Sequence, residues 1–297
     1  MMVDPDEVKS DEEAVAIELI QPPGTLHASR LSASDAAVLE TFVVPRYLLH
    51  FGELLLENLI ESENARVCHI GCRTGYPDRG IALKLPGSHI YGVDASNAAL
   101  ELARAKAATL REMSVDYLFA DAFPLQFPDA SFSHVLSIHP LFDPESRHAL
   151  VDEMRRLLMP GGQLLLAVPL RGSFSEVADL LRECALKRDD SPLNLAVDRA
   201  MGRRPTVEGL AAELEEGGLE AVDVSLRPLA IPYPSGRQFI EDPVTRLMLI
   251  PEFQRNLEMP DLTGPLDYVR DAIDKYWSDG SFELSVNVGC VIARQPV

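Results

Sequence analysis

The stretch RVCHIGCRTGYPD, from Arg66 to Asp78, gathers the residues best placed to do chemistry. An apolar run ends at Ile70, and Gly71 and Gly75 follow it. Glycine lets a chain turn sharply there and lets a ligand approach the backbone closely. Asp94 lies about 20 residues beyond this loop, the separation at which an acid meets a ribose hydroxyl in nucleotide-type sites. Asp121, followed by Ala122, closes a third apolar run. A carboxylate there would accept a hydrogen bond from an adenine amino group. A dinucleotide-type G-x-G-x-x-G would need glycine at 71, 73 and 76. Arg73 and Tyr76 stand at two of those positions, so that pattern is not met.

The elements that must carry these residues are legible from their periods. Leu48, Phe51, Leu55 and Leu59 recur at helical spacing and predict a helix over 41–60. After it, strands and helices alternate. Strands are predicted at ARVCHIG, SHIYGVDAS, VDYLFADA, SHVLSIHP and QLLLAVPL. A helix follows Ser96, a candidate N-cap, and another carries Leu150, Met154, Leu157 and Leu158 on one face before the PGG stop. Helical segments come next, then a strand ending near Pro232, proline-broken helix from 233 to 279, and a last strand. Such alternation predicts an α/β fold: a doubly wound, mostly parallel seven-stranded sheet with helical cap insertions. Ligands in this architecture bind beyond the carboxyl ends of the strands. Residues 1–35 read as an acidic, loose arm, residues 36–297 as one domain, and 231–280 as a helical cap over the cleft.

Composition narrows the partners. The formal net charge of −19 disfavours nucleic acid, whose binding needs clustered Lys and Arg, and disfavours anionic membrane surfaces. The N-terminus lacks the basic segment and apolar core of a secretion signal, and no apolar run is long enough to span a bilayer. Four scattered cysteines suit a reducing, cytoplasmic setting. Cys68 and Cys72 have no second ligand pair, so no metal is expected, and both read as small packing residues.

These segments, in this order and spacing, resemble the class I S-adenosylmethionine-dependent methyltransferases. YGVDASNAALELARAKA looks like the second segment of that family, LFADAFPLQFPDASFSHVLS like its third and fourth, and EMRRLLMPGGQLLLAVP like the helix and strand that follow. GSFSEVADLL, YPSGRQFIED and FELSVNVGCVIARQ look like the malonyl-carrier-protein O-methyltransferases and their type 11 relatives. The resemblance implies a Rossmann-like methyltransferase fold. S-adenosylmethionine would be held by His69, Gly71, Cys72, Arg73, Gly75, Asp94, Ala95, Asp121, Ala122 and Ser137. Tyr47 would close over the site, and the stretch Ser137 to His139 would face the transferred methyl group. His139 is the candidate general base, although a carboxylate acceptor needs none.

Three residues depart from the family pattern, Ser133 the most mildly, standing where relatives often carry Asp at the start of the fourth strand. His69 stands where relatives carry an acid, and Arg73 replaces the middle glycine. If both faced the pocket, a cation would sit near a sulfonium ligand. Repulsion between unit charges a few ångströms apart is about 1 kcal/mol in water and about 4 kcal/mol at an effective dielectric of 20. Arg73 has two ways out: to swing outward, or to pair with the ligand's carboxylate. The sequence therefore supports two functions. One is methyl transfer to a small-molecule or carrier-linked acceptor, a carboxylate among the candidates. The other is a non-catalytic relative that binds a protein partner.

Overall fold

The computed structural model describes residues 31–110, 113–140 and 144–297. The predicted acidic arm lies almost wholly outside the described residues. At its end Leu31 is buried, and the Ser32 side chain caps the first helix by accepting from the Asp35 N–H. That helix, α1 (Ala33–Val38), runs into a π-helical stretch, Leu39–Leu48, and then into α2 (Leu49–Asn58). The helical prediction for 41–60 is met, but with a wider ladder. Pro45, which has no N–H to donate, lies inside the widened stretch.

The sheet begins with β1 (Arg66–Ile70). There follow α3 (Asp78–Lys84), β2 (His89–Asp94), α4 (Asn97–Ala107), β3 (Ser114–Phe119), β4 (Phe132–Ile138), α5 (Pro144–Leu157) and β5 (Leu158–Pro169). The helix before PGG stops at Leu157 rather than at Met159: Leu158, expected on its apolar face, opens β5, and Pro160, Gly161 and Gly162 lie within that strand rather than ahead of it. Next come α6 (Ser175–Arg188), α7 (Ser191–Arg203), α8 (Val207–Glu216) and β6 (Glu220–Tyr233). Helix α7 has no counterpart among the predicted segments. Then come α9 (Gly236–Glu241), a π-helical turn Thr245–Leu249, α10 (Ile250–Leu257), α11 (Thr263–Tyr276) and β7 (Phe282–Arg294).

The strand order is β3-β2-β1-β4-β5-β7-β6, with β1 to β5 parallel and β7 antiparallel to both neighbours. The seven-stranded, mostly parallel sheet is the predicted one. Side chains alternate across it. Val67, Ile90, Leu136 and Leu165 face one core, with α2, α6 and the helices between β6 and β7. Cys68, Val93, Val135, Leu164 and Leu166 face the other, with Leu150 and Met154 of α5 and Leu210 of α8. All four cysteines are free and buried, as packing residues. The order reverses between β1 and β4, so the carboxyl ends of those strands form the switch point where α/β folds bind ligands.

Candidate functional site

The loop after β1 turns by placing alternate residues in the left-handed region: Gly71, Arg73 and Gly75 have φ of 71°, 46° and 78°. Glycine adopts that region freely, whereas a side chain there costs roughly 1–2 kcal/mol. Arg73 bears that cost and is anchored by both its halves. Its backbone N–H donates to Asp94 Oδ2 at 2.8 Å. Its guanidinium donates from Nη1 to the Ile138 carbonyl at 2.8 Å and from Nη2 to the His139 carbonyl at 2.6 Å. The side chain therefore points inward, across the switch point, and is buried. Of the directions the sequence left open for it, the outward one is not taken.

Asp94 ends β2 with its carboxylate fully enclosed. Oδ1 accepts from the Ser96 N–H at 2.8 Å, and Oδ2 takes the Arg73 N–H. Burial pushes its pKa up, while the two N–H donors and the Arg73 charge pull it down. Ala95 is buried beside it, and Ser96 caps α4 by accepting from the Ala99 N–H, as predicted. The Ala120 N–H, at the end of β3, donates to the Asp94 carbonyl. Asp121 and Ala122 follow directly, and both are exposed to solvent. The fold thus brings Gly71, Cys72, Arg73, Asp94, Ala95 and Ser137 into one buried cluster and leaves Asp121 and Ala122 at its open edge.

His69 has its own carboxylate partner outside this cluster, Asp78. His69, Gly92 and Tyr117 occupy one row across β1, β2 and β3. His69 Nδ1 meets Asp78 Oδ1 at 2.6 Å, and the Tyr117 hydroxyl donates to Asp78 Oδ2 at 2.8 Å. Tyr117 reaches Asp78 because Gly92 has no side chain: a Cβ there would lie 2.5 Å from the Tyr117 ring. A Cβ on Gly75 would lie 2.3 Å from the Tyr117 hydroxyl, so this network also fixes the far end of the loop. Both carboxylate oxygens of Asp78 are thereby taken up within the protein, by His69 and Tyr117. Sequence reading passed over Asp78 and Tyr117, whose meeting depends on a glycine one strand away.

His139, just past β4, has φ of 46° and is 1% exposed. Its Nε2 lies 2.7 Å from the Tyr47 hydroxyl, and Phe51 stacks edge-on against it at 4.9 Å. Burial, then the nearby Arg73 charge, push the imidazole pKa down to about 3. The ring is neutral at neutral pH and a weak base. Burial likewise raises the Tyr47 phenol, with the Glu252 carboxylate adding to the rise and Arg204 opposing it. Tyr47, assigned to the site by resemblance, is thus brought against His139.

Beside His139 lies a narrow cleft at the ends of β4 and β5, lined by Pro140, Arg147, Pro169, Arg204, Glu252 and Asn256 among others. Glu252 Oε1 accepts from Arg204 Nε at 3.0 Å and Nη2 at 2.7 Å, with both side chains buried. Arg204 also lies over the Phe174 ring at 4.7 Å. Neither Arg204 nor Glu252 belongs to a motif, and no sequence signal marked them. Among the described residues no cluster of metal-ligating side chains occurs, and no helix is long and apolar enough to cross a membrane.

Comparison with known proteins agrees with this geometry. A family model described as a methyltransferase domain matches residues 68–166. The chain is 30% identical over 164 residues to the malonyl-[acyl-carrier protein] O-methyltransferase of Halorhodospira halophila, covering 52% of each protein. It is 31% identical over 151 residues to the demethylmenaquinone methyltransferase of Thermus thermophilus, covering 46% of this chain and 67% of that one. The chain spans about half the length of several curated relatives it matches. In fold it is similar to the YcgJ protein of Bacillus subtilis, with TM-score 0.55 and 17% identity over 84% of this chain and 99% of that one. With the glycine turn clasped to Asp94 at the switch point of a seven-stranded sheet, these matches establish that the chain belongs to the class I S-adenosylmethionine-dependent methyltransferases.

Proposed function

We propose that this protein transfers a methyl group from S-adenosylmethionine to a small-molecule or carrier-linked acceptor. The observation that carries the proposal is the clasp between the β1 loop and Asp94, 2.8 Å long, at the switch point. Two features fit the cofactor. A Cβ built on Gly71 would meet nothing nearer than Ser137 Oγ at 3.8 Å, so the turn has an open face. The carbonyls of Ile138 and His139 are acceptors suited to an ammonium group once the Arg73 guanidinium releases them. When bound, S-adenosylmethionine supplies an electrophilic methyl group on a sulfonium.

The chain's own residues would do the rest. Gly71, Cys72, the backbone of Arg73, Gly75, Asp94, Ala95 and Ser137 would hold the cofactor, with Asp121 and Ala122 at the open edge. His69 would act through Asp78 on the loop rather than by contact. Tyr47, Phe51 and His139 form an uncharged wall that keeps water out, so alignment carries the chemistry. Burial and the Arg73 charge hold the His139 pKa down to about 3, which makes its neutral ring a weak base.

A second reading, a non-catalytic relative, is favoured by the same Arg73: its guanidinium takes two carbonyls at the carboxyl end of β4. Calorimetric titration with S-adenosylhomocysteine separates the two. Methyl transfer requires micromolar binding to the native chain that Asp94→Ala abolishes. No binding to the native chain, with binding restored by Arg73→Gly, would make the second reading the correct one.

A further inference from the structure

The cleft beside His139 has its charges spoken for and two acceptor atoms left over. Arg147 pairs with Glu213 at 2.8 Å, Arg204 with Glu252 at 2.7 Å, and Arg203 with Glu258. Each lining cation thus has its carboxylate. What remains is acceptor capacity. Both Arg204 donors go to the same oxygen, Glu252 Oε1, and Glu252 Oε2 is buried with no hydrogen-bond partner. Asn256 Oδ1, one helical turn further along α10, is also buried without a partner. The two residues are 7% and 6% exposed, and both line the cleft. An ionised carboxylate only accepts hydrogen bonds, and a buried acceptor left unmet is costly.

We infer that this cleft is a recognition subsite for the methyl acceptor and that it takes an O–H or N–H donor, an alcohol or an amine, rather than a carboxylate. The inference rests on the proposed methyl transfer for the word acceptor; the donor preference follows from Glu252 and Asn256 alone. The cleft starts at Pro140, the residue after His139, so a group seated there lies next to the wall that closes the switch point. The subsite recognises a polar handle of the acceptor and does not name the atom methylated.

The test uses three matched probes, butylamine, 1-butanol and butyrate, each titrated against the full chain by saturation-transfer NMR. The amine and the alcohol bind, and butyrate binds about tenfold more weakly or not at all, the ratio that one charge-assisted hydrogen bond supports. Glu252→Gln weakens butylamine about tenfold, and Asn256→Ala weakens both donors several-fold without touching an ion pair. Circular dichroism melts check that each variant folds. If Glu252→Gln fails to fold, Asn256→Ala and the native probe order decide. Butyrate binding as well as butylamine, donor binding unchanged by Asn256→Ala, or no probe binding to the folded native chain would each overturn the inference. Titration of the same sample with S-adenosylhomocysteine keeps the two proposals apart. Donor binding without S-adenosylhomocysteine binding defeats methyl transfer and leaves the subsite standing; the reverse defeats only the subsite.

Discussion

The guanidinium of Arg73 reaches the carbonyl of His139 at 2.6 Å, joining the first loop of the sheet to the end of its fourth strand. Replacing Arg73 by glycine relieves the left-handed strain, worth about 1–2 kcal/mol, but leaves two buried carbonyls short of donors at about 1–3 kcal/mol each. The expected net result is a loss of a few kcal/mol, read as a lower urea midpoint. The same change frees two carbonyls for the ammonium group of a ligand's amino-acid part. S-adenosylhomocysteine should therefore raise the melting temperature of Arg73→Gly more than that of the native chain. An equal or smaller shift would mean the side chain does not compete with the ligand.

Tyr117 leaning over Gly92 gives a second prediction. Gly92→Ala places a methyl 2.5 Å from the Tyr117 ring and 3.0 Å from Cys72 Sγ, overpacking that costs about 1–3 kcal/mol. In a Tyr117→Ala background the same substitution should cost distinctly less, since the clashing ring is gone. Chemical denaturation of the four proteins of this cycle measures the coupling, and additive costs would contradict it.

His139 predicts an acid-side loss of stability. Its pKa is near 6.5 in the unfolded chain and about 3 in the folded one. Between those values the unfolded chain binds a proton that the native state does not. Stability from this group is thus complete above pH 6.5 and falls by about 1.4 kcal/mol per pH unit as pH drops towards 3. His139→Gln, which keeps a partner for Tyr47, should flatten that slope. Urea midpoints at pH 7, 6 and 5 for both proteins provide the check, and parallel slopes would count against it.

Two ion pairs of similar appearance should differ sharply. Arg204 and Glu252 are both buried, whereas Glu258, the partner of Arg203, is 60% exposed. Glu252→Ala strands a buried guanidinium, at about 3–5 kcal/mol. Glu258→Ala should cost no more than about 1 kcal/mol. Thermal melts of the two variants compare them directly, and equal losses would show that burial is not what sets the difference.

Much of this was legible in advance because it depends on local period. The strand through His69, the strand to Asp94 and the capped helix after Ser96 each follow from a few consecutive residues. The direction of Arg73 was not legible, because its two carbonyl partners lie 65 and 66 residues away. Nor was Asp78 readable as the partner of His69, since their meeting depends on Tyr117 crossing the vacancy at Gly92. Helix α7 escaped because its apolar residues, Leu193, Ala196, Val197 and Ala200, include two alanines that weaken the stripe. The cleft lining escaped for a simpler reason. Arg204 and Glu252 sit on separate segments that only the folded chain brings together.

The register of the last two strands carries one more consequence. Tyr233 and Phe282 are cross-strand partners, the outermost pair that β6 and β7 form. Everything between them, residues 234–281 with α9, α10 and α11, is therefore topologically the loop of a hairpin. Its two ends stand side by side on one rung. That cassette is packed into the core through Phe239, Met248, Phe253 and Ile273, so side chains rather than sheet pairings hold it in place. Glu252 and Asn256 ride on that cassette, while Asp94 and Arg73 do not. The fold thus assigns the two acceptor groups of the cleft to a hairpin loop and the Arg73–Asp94 clasp to the parallel strands.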